Sequence, residues 1–95
     1  MTTEQVEPDP VDRVAEAVIA VPGVTGLHAG SFGEVATYLP GRSVAGVRQR
    51  DGVTEVHVRV AMGAELLATA SQVRSAVAAV TGDEVHVVIE DVDPA

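Results

Sequence analysis

Hydrophobic positions along this chain follow two helical rhythms and several extended ones. Val11, Val14, Val18 and Val21 recur at the three- and four-residue spacing that gathers side chains on one face of an α-helix. Asp12, Arg13 and Glu16 take the opposite face. Asp9 suits the N-cap, Pro10 the first helical position and Asp12 the first turn, and Pro22-Gly23 ends the run. A second stripe of Leu66, Ala70, Val73, Val77 and Val80 predicts a helix from Ala64 to Val80, with Gly82 just past its end.

Between and after these helices the rhythm shortens to two. Val24–Ala29 predicts a short strand. Val44–Arg50 and Val53–Ala61 flank Asp51-Gly52, the pair that supplies both positive φ angles of a type I′ hairpin turn. A two-residue turn sets Arg50 opposite Val53, Arg48 opposite Glu55, Val47 opposite Val56 and Gly46 opposite His57. One face then carries Ala45, Val47, Val56, Val58 and Val60 toward the core. The other carries Val44, Gly46, Arg48, Glu55, His57 and Arg59 outward. A last strand, Glu84–Val92, buries Val85, Val87 and Ile89 and turns His86, Val88 and Glu90 outward.

Residues Ser31–Leu39 carry two patterns at once. Ser31 and Glu34 have capping-box spacing, and Phe32, Val35 and Leu39 share a helical face; Val35, Thr37 and Tyr38 favour extended backbone. We read this stretch as a short helical turn ended by Pro40-Gly41. The order is α-β-(short α)-β-β-α-β, an α+β fold with two helices packed on one face of a roughly four-stranded mixed sheet. Residues 9–92 form a single domain. An acidic tail at 1–8 is expected to be disordered, and 93–95 form a second tail.

Composition narrows the function classes. The chain has 95 residues, 46% of them hydrophobic; Val and Ala dominate, and Phe32 and Tyr38 are the only aromatics. With no cysteine there is no disulfide framework, thiolate metal site or thiol nucleophile. Fourteen acidic residues against six basic ones, all arginine, give a net charge of −8, which opposes nucleic acid as a partner. The N-terminus lacks a basic segment followed by an apolar one, and the apolar run Ala17–Pro22 is far shorter than the ~20 residues of a membrane span. The expectation is a cytoplasmic protein without direct membrane insertion.

Candidate chemistry is sparse. His28, His57 and His86 could supply three ligands to a zinc ion if they converged on the outward sheet face, but solvated histidines on separate strands explain them as well. Gly23-Val-Thr-Gly26 matches the GxxG of KH-type RNA clamps, yet the nearest bases in sequence are Arg13 and Arg42; closing the helix is the simpler role. Arg42, Arg48 and Arg50 are the one basic concentration, and Arg48 has Glu55 across the hairpin. The serines lie in no nucleophile elbow, and Glu90 and Asp91, being adjacent on a strand, face opposite ways. No catalytic constellation emerges, so we expect no enzyme activity, catalytic residue, metal or cofactor.

Four strings, taken in order and spacing, carry a resemblance. They are Val21-Pro-Gly-Val24; Thr37-Tyr-Leu-Pro-Gly-Arg42 followed by Val44-Ala-Gly-Val47; Val56-His-Val-Arg-Val60 leading to Met62-Gly63; and Thr81-Gly82 before Val85-His-Val-Val-Ile-Glu-Asp-Val92. Over residues 10–92 the chain resembles the bacterial alkaline shock protein family of envelope stress response proteins, in the short form of high-GC Gram-positive bacteria. The resemblance implies an α/β domain with no catalytic motif. It implies a cytosolic protein that self-associates as a homo-oligomer and reaches the membrane through a small membrane-anchored protein partner. Longer relatives begin with an extra strand-like segment where this chain has its acidic tail. The candidate interaction surface is the outward face, with Val44, His57, Arg59, His86 and Val88, together with the loop from Tyr38 to Arg42; mixed exposed Val, Arg and His are typical of an interface. The alternative is a KH-like RNA-binding module.

Overall fold

The computed structural model describes residues 9–94, so the disorder expected of residues 1–8, and the terminal Ala95, lie outside the described residues. The first helix, α1, spans Pro10–Ile19. Asp9 caps it in a full capping box, its carboxylate accepting from the Val11 N–H while Asp12 accepts from the Asp9 N–H. Val11, Val14 and Val18 are buried, as their spacing dictates, and Val21 joins them. After Pro22-Gly23 comes β1, Val24–Leu27.

The next stretch departs from the sequence reading. Residues 31–33 form a turn, and the chain then extends as β2, Ala36–Leu39, paired antiparallel with β3, Arg42–Ala45. No helical turn forms here. Pro40-Gly41 instead makes a two-residue reversal with Gly41 at φ +76°, setting Leu39 opposite Arg42. The extended pattern prevails because it lets Leu39 and Val44 pack on the core and lets the Thr37 hydroxyl donate to the Val47 carbonyl at 2.6 Å. Of the three residues assigned to one helical face, Val35 is buried and Leu39 half-buried, but Phe32 is 93% exposed.

Strands β4, Val47–Arg50, and β5, Val53–Ala61, form the hairpin that Asp51-Gly52 specifies. Asp51 and Gly52 have φ of +53° and +76°, and the register is the one the turn demands. Gly46 separates β3 from β4 with φ +87°. A β-carbon there would lie 2.7 Å from that of Leu27 and 3.0 Å from the His57 carbonyl oxygen, so three chain segments meet where no side chain fits. The kink also reverses the faces before it. Val44, expected outward, packs on the core, and Ala45, expected inward, is exposed.

A βαβ crossover completes the fold. Helix α2, Leu66–Thr81, is capped by Glu65, which accepts from the Leu67 and Ala68 N–H groups, and it ends at left-handed Gly82. It buries Thr69, Val73 and Val77; Leu66 and Val80, assigned to its apolar stripe, lie on its exposed flanks. Thr69 can be buried because its hydroxyl donates to the Glu65 carbonyl. Strand β6, Glu84–Asp93, pairs parallel with β5. It takes in Asp93, which was assigned to the tail: the Asp93 carbonyl accepts from the Met62 N–H.

Strand β5 is the hub. One of its edges carries β6 along the full length. The other carries β4 against Val53–Val56 and β1 against Val58–Val60, end to end. Both helices lie on one face of this four-stranded mixed sheet, over a core of Val11, Val14, Val18, Val47, Val56, Val58, Val60, Val73 and Val77, all essentially inaccessible to water. The α+β class is as expected. No described helix is long and apolar enough to cross a membrane.

Candidate functional site

The sheet face away from the helices carries the charged chemistry. Strand alternation sends Glu55, His57 and Arg59 of β5 there, with Arg48 beside Glu55 on β4 and His86 and Val88 beside Glu55 and His57 on β6. A continuous chain of polar contacts crosses the three strands. Arg48 donates through Nη2 to Glu55 Oε1 at 2.7 Å, Glu55 Oε2 meets His57 Nε2 at 2.6 Å, and His57 Nδ1 meets Glu90 Oε2 at 2.6 Å. His57 is only 6% exposed, so this ring, expected on a solvated face, is enclosed by its two carboxylates. The His57 contact and the Arg48 guanidinium hold the Glu55 carboxyl below the usual glutamate range.

Glu90 reaches His57 through a bulge. Val58 pairs with Ile89 and Arg59 with Asp91, so Glu90 is an extra residue in β6. Glu90 and Asp91 therefore both serve partners on the open face, Glu90 the His57 ring and Asp91 the Arg59 guanidinium at 3.6 Å. The alternation rule that set them on opposite faces fails at this point. Arg59 donates mainly to Asp93, whose other oxygen accepts the Thr25 hydroxyl. That guanidinium, with the hydroxyl, lowers the Asp93 carboxyl, and Asp93 in turn raises Arg59.

The seven surface residues read from the sequence divide between two regions. His57, Arg59, His86 and Val88 gather on the open face of β5 and β6, with Val88 38% exposed and His86 exposed beside Glu84 at 2.6 Å. Tyr38, Arg42 and Val44 belong to the β2–β3 hairpin instead. Arg42 makes a bidentate contact with Asp12 of α1, and Tyr38 is 75% exposed. Sequence reasoning missed Glu55 and Glu90 as the partners of His57. The two-residue period of β5, which sets Glu55 and His57 on one face, could have given Glu55, but nothing local announces the bulge that delivers Glu90.

The three histidines stay apart in role. His28 accepts from the Gly30 N–H through Nδ1, His57 is held between its carboxylates, and His86 lies exposed. Among the described residues no three potential ligands are grouped to hold a metal ion. In the GxxG segment, Gly23 packs close to Ala64 and Thr69, where an added β-carbon would lie 3.3 Å from each side chain. Its Thr25 is bonded to a carboxylate, Asp93, where a phosphate clamp would want positive charge. An open groove of about 630 Å³ runs between α2 and the start of β6, lined by Arg74, Ala78, Glu84, Val85, His86 and Val87. No protein-family model, curated protein or solved structure matches this chain.

Proposed function

We propose that this chain is a non-enzymatic interaction module of the alkaline shock, or envelope stress response, kind. It works in the cytoplasm by self-association and by binding a protein partner, such as a small membrane-anchored protein, through the β5–β6 side of its sheet. One observation carries this reading. The polar groups in the middle of the open face are bonded to one another, while Val88 and His86 at its β6 margin stay exposed. Polar groups already satisfied within the chain add little to binding, whereas exposed apolar and amphipathic side chains beside them gain from being covered. Contact with the membrane, in this reading, comes through the partner.

Fractionation of the cells that make the protein tests this. The chain should sediment with their membranes, be released when those membranes are treated with protease, and fail to bind protein-free vesicles. The double variant H86E/V88E should stay in the supernatant while keeping a cooperative thermal transition, since both side chains are exposed in the single chain. A chain that binds protein-free vesicles, or a variant that sediments like the parent, overturns the reading. His57 is unsuitable for this test because a glutamate there would face Glu55 and Glu90.

A further inference from the structure

Strand β6 has a neighbour on one edge only: among the described residues no strand pairs with its outer edge. The Glu84 N–H bonds toward β5, to the Gly52 carbonyl, so alternation directs the N–H and C=O groups of Val85, Val87 and Ile89 at the outer edge. Natural edge strands are usually protected by lysine, proline or a bulge. Residues 85–89 have none of these, with charged Glu84 before them and the bulge at Glu90 after them. Val85, Val87, Val88 and Ile89 are β-branched, so the regular part of the seam is centred on Val87–Ile89. The groove between α2 and the start of β6 keeps this edge open on the helix side.

We infer that this edge is a homotypic seam: β6 pairs antiparallel with β6 of a second copy about a twofold axis through Val88. The inference deepens the self-association part of the proposed function and rests on that reading for its biological role. Charge selects the register. With the axis at Val88, His86 of each copy lies opposite Glu90 of the other. His57 occupies Glu90 Oε2, and Oε1 is the oxygen that the second copy's His86 would reach. Moving the axis to Val87 sets Glu84 against Glu90, and moving it to Ile89 sets Val88 against Glu90, so both shifts lose the match. The backbone agrees. Val87 and Ile89 exchange main-chain hydrogen bonds across the seam, and Val88 meets its own symmetry mate in a non-hydrogen-bonded pair. The result is an eight-stranded sheet with the helices of both copies on one face.

The chain has no cysteine, so V88C is a clean probe. At a non-hydrogen-bonded antiparallel pair the two α-carbons lie about 4.5 Å apart, within the range a disulfide spans. Mild oxidation should convert V88C to a covalent dimer in high yield, while L67C, at a residue 81% exposed on α2, gives little. In sedimentation equilibrium the full-length chain should be a dimer, and V88K, which sets like charges on the axis, should raise its dissociation constant roughly tenfold. A chain that stays monomeric at several hundred micromolar overturns the seam. So does a dimer in which V88C cross-links no better than L67C. These readouts need no envelope partner, so their failure leaves membrane association standing, and loss of membrane association leaves the cross-link standing.

Discussion

The two faces of β5 are built on opposite terms. On the helix side Val56, Val58 and Val60 lie under Val14, Val18, Val73 and Val77, a core in which valine does nearly all the filling. On the open side Glu55, His57 and Arg59 occupy the alternate positions and are bonded across the sheet to Arg48, Glu90 and Asp93. The first face admits a polar group only at its end, where the buried Thr54 hydroxyl donates to Asp83, and is wholly apolar around Val56, Val58 and Val60. The second tolerates burial of an imidazole because each ring nitrogen has a carboxylate. Their contrast separates two kinds of specification: the helix face demands an apolar shape, and the open face demands particular partners.

The strongest way to break the contrast is to move one face's chemistry to the other. Val58→Asp buries a carboxylate with no partner at a wholly inaccessible position. An unpaired buried charge costs several kcal/mol, a large part of the roughly 5–15 kcal/mol that holds such a domain together. The variant should be unfolded at room temperature, read as loss of cooperative melting by circular dichroism. A smaller effect follows from His57→Ala, which leaves Glu55 and Glu90 without the ring between them. Because both carboxylates keep some access to water, the expected loss is about 1–3 kcal/mol in a urea titration. A loss below 0.5 kcal/mol, or about the scatter of a surface change, would show that the carboxylate cage does not support the fold.

The smallest effect concerns acid. Glu55 titrates below the usual glutamate range in the folded chain, chiefly because of His57 and then of Arg48. The unfolded chain binds that proton near the ordinary value of about 4.3, while the folded chain binds it only at lower pH. The contribution of Glu55 is therefore present at neutral pH and fades as pH falls from that value through the lowered one. Denaturation midpoints measured between pH 6 and 3 should decline less steeply in His57→Ala than in the parent, with the Arg48 share remaining. Parallel declines would remove His57 as the main cause.

Local signals made part of this fold legible. Asp9, Pro10 and Asp12 define the start of α1 without help from the rest of the chain, and Asp51-Gly52 fixes the β4–β5 register by its own backbone preference. The stretch from Ser31 to Leu39 was not legible in the same way. It suits a helix and a strand about equally, and the choice is made by Leu39, Val44 and Thr37 finding partners far along the chain. The candidate site was half legible. Strand period brings His57, Arg59, His86 and Val88 together, but the bulge at Glu90 carries no glycine or other mark, and it decides what His57 touches. Gly46 was a signal that could have been used, because a glycine within a strand pattern points to a kink or a close approach.

The end-to-end placement of β1 and β4 on one edge of β5 has a consequence for how the molecule is made. His57 joins the two: its carbonyl accepts from the His28 N–H and its own N–H donates to the Gly46 carbonyl. Until Val53–Ala61 leaves the ribosome, β1 and β4 have no sheet to join, and α1 can bury its valines only against β1 and the edges of β3 and β4, without α2 over them. Once β5 emerges, every strand of the main sheet gains its neighbour within a few dozen residues of synthesis. The first half of this protein is thus held in waiting, and it acquires its structure from the second.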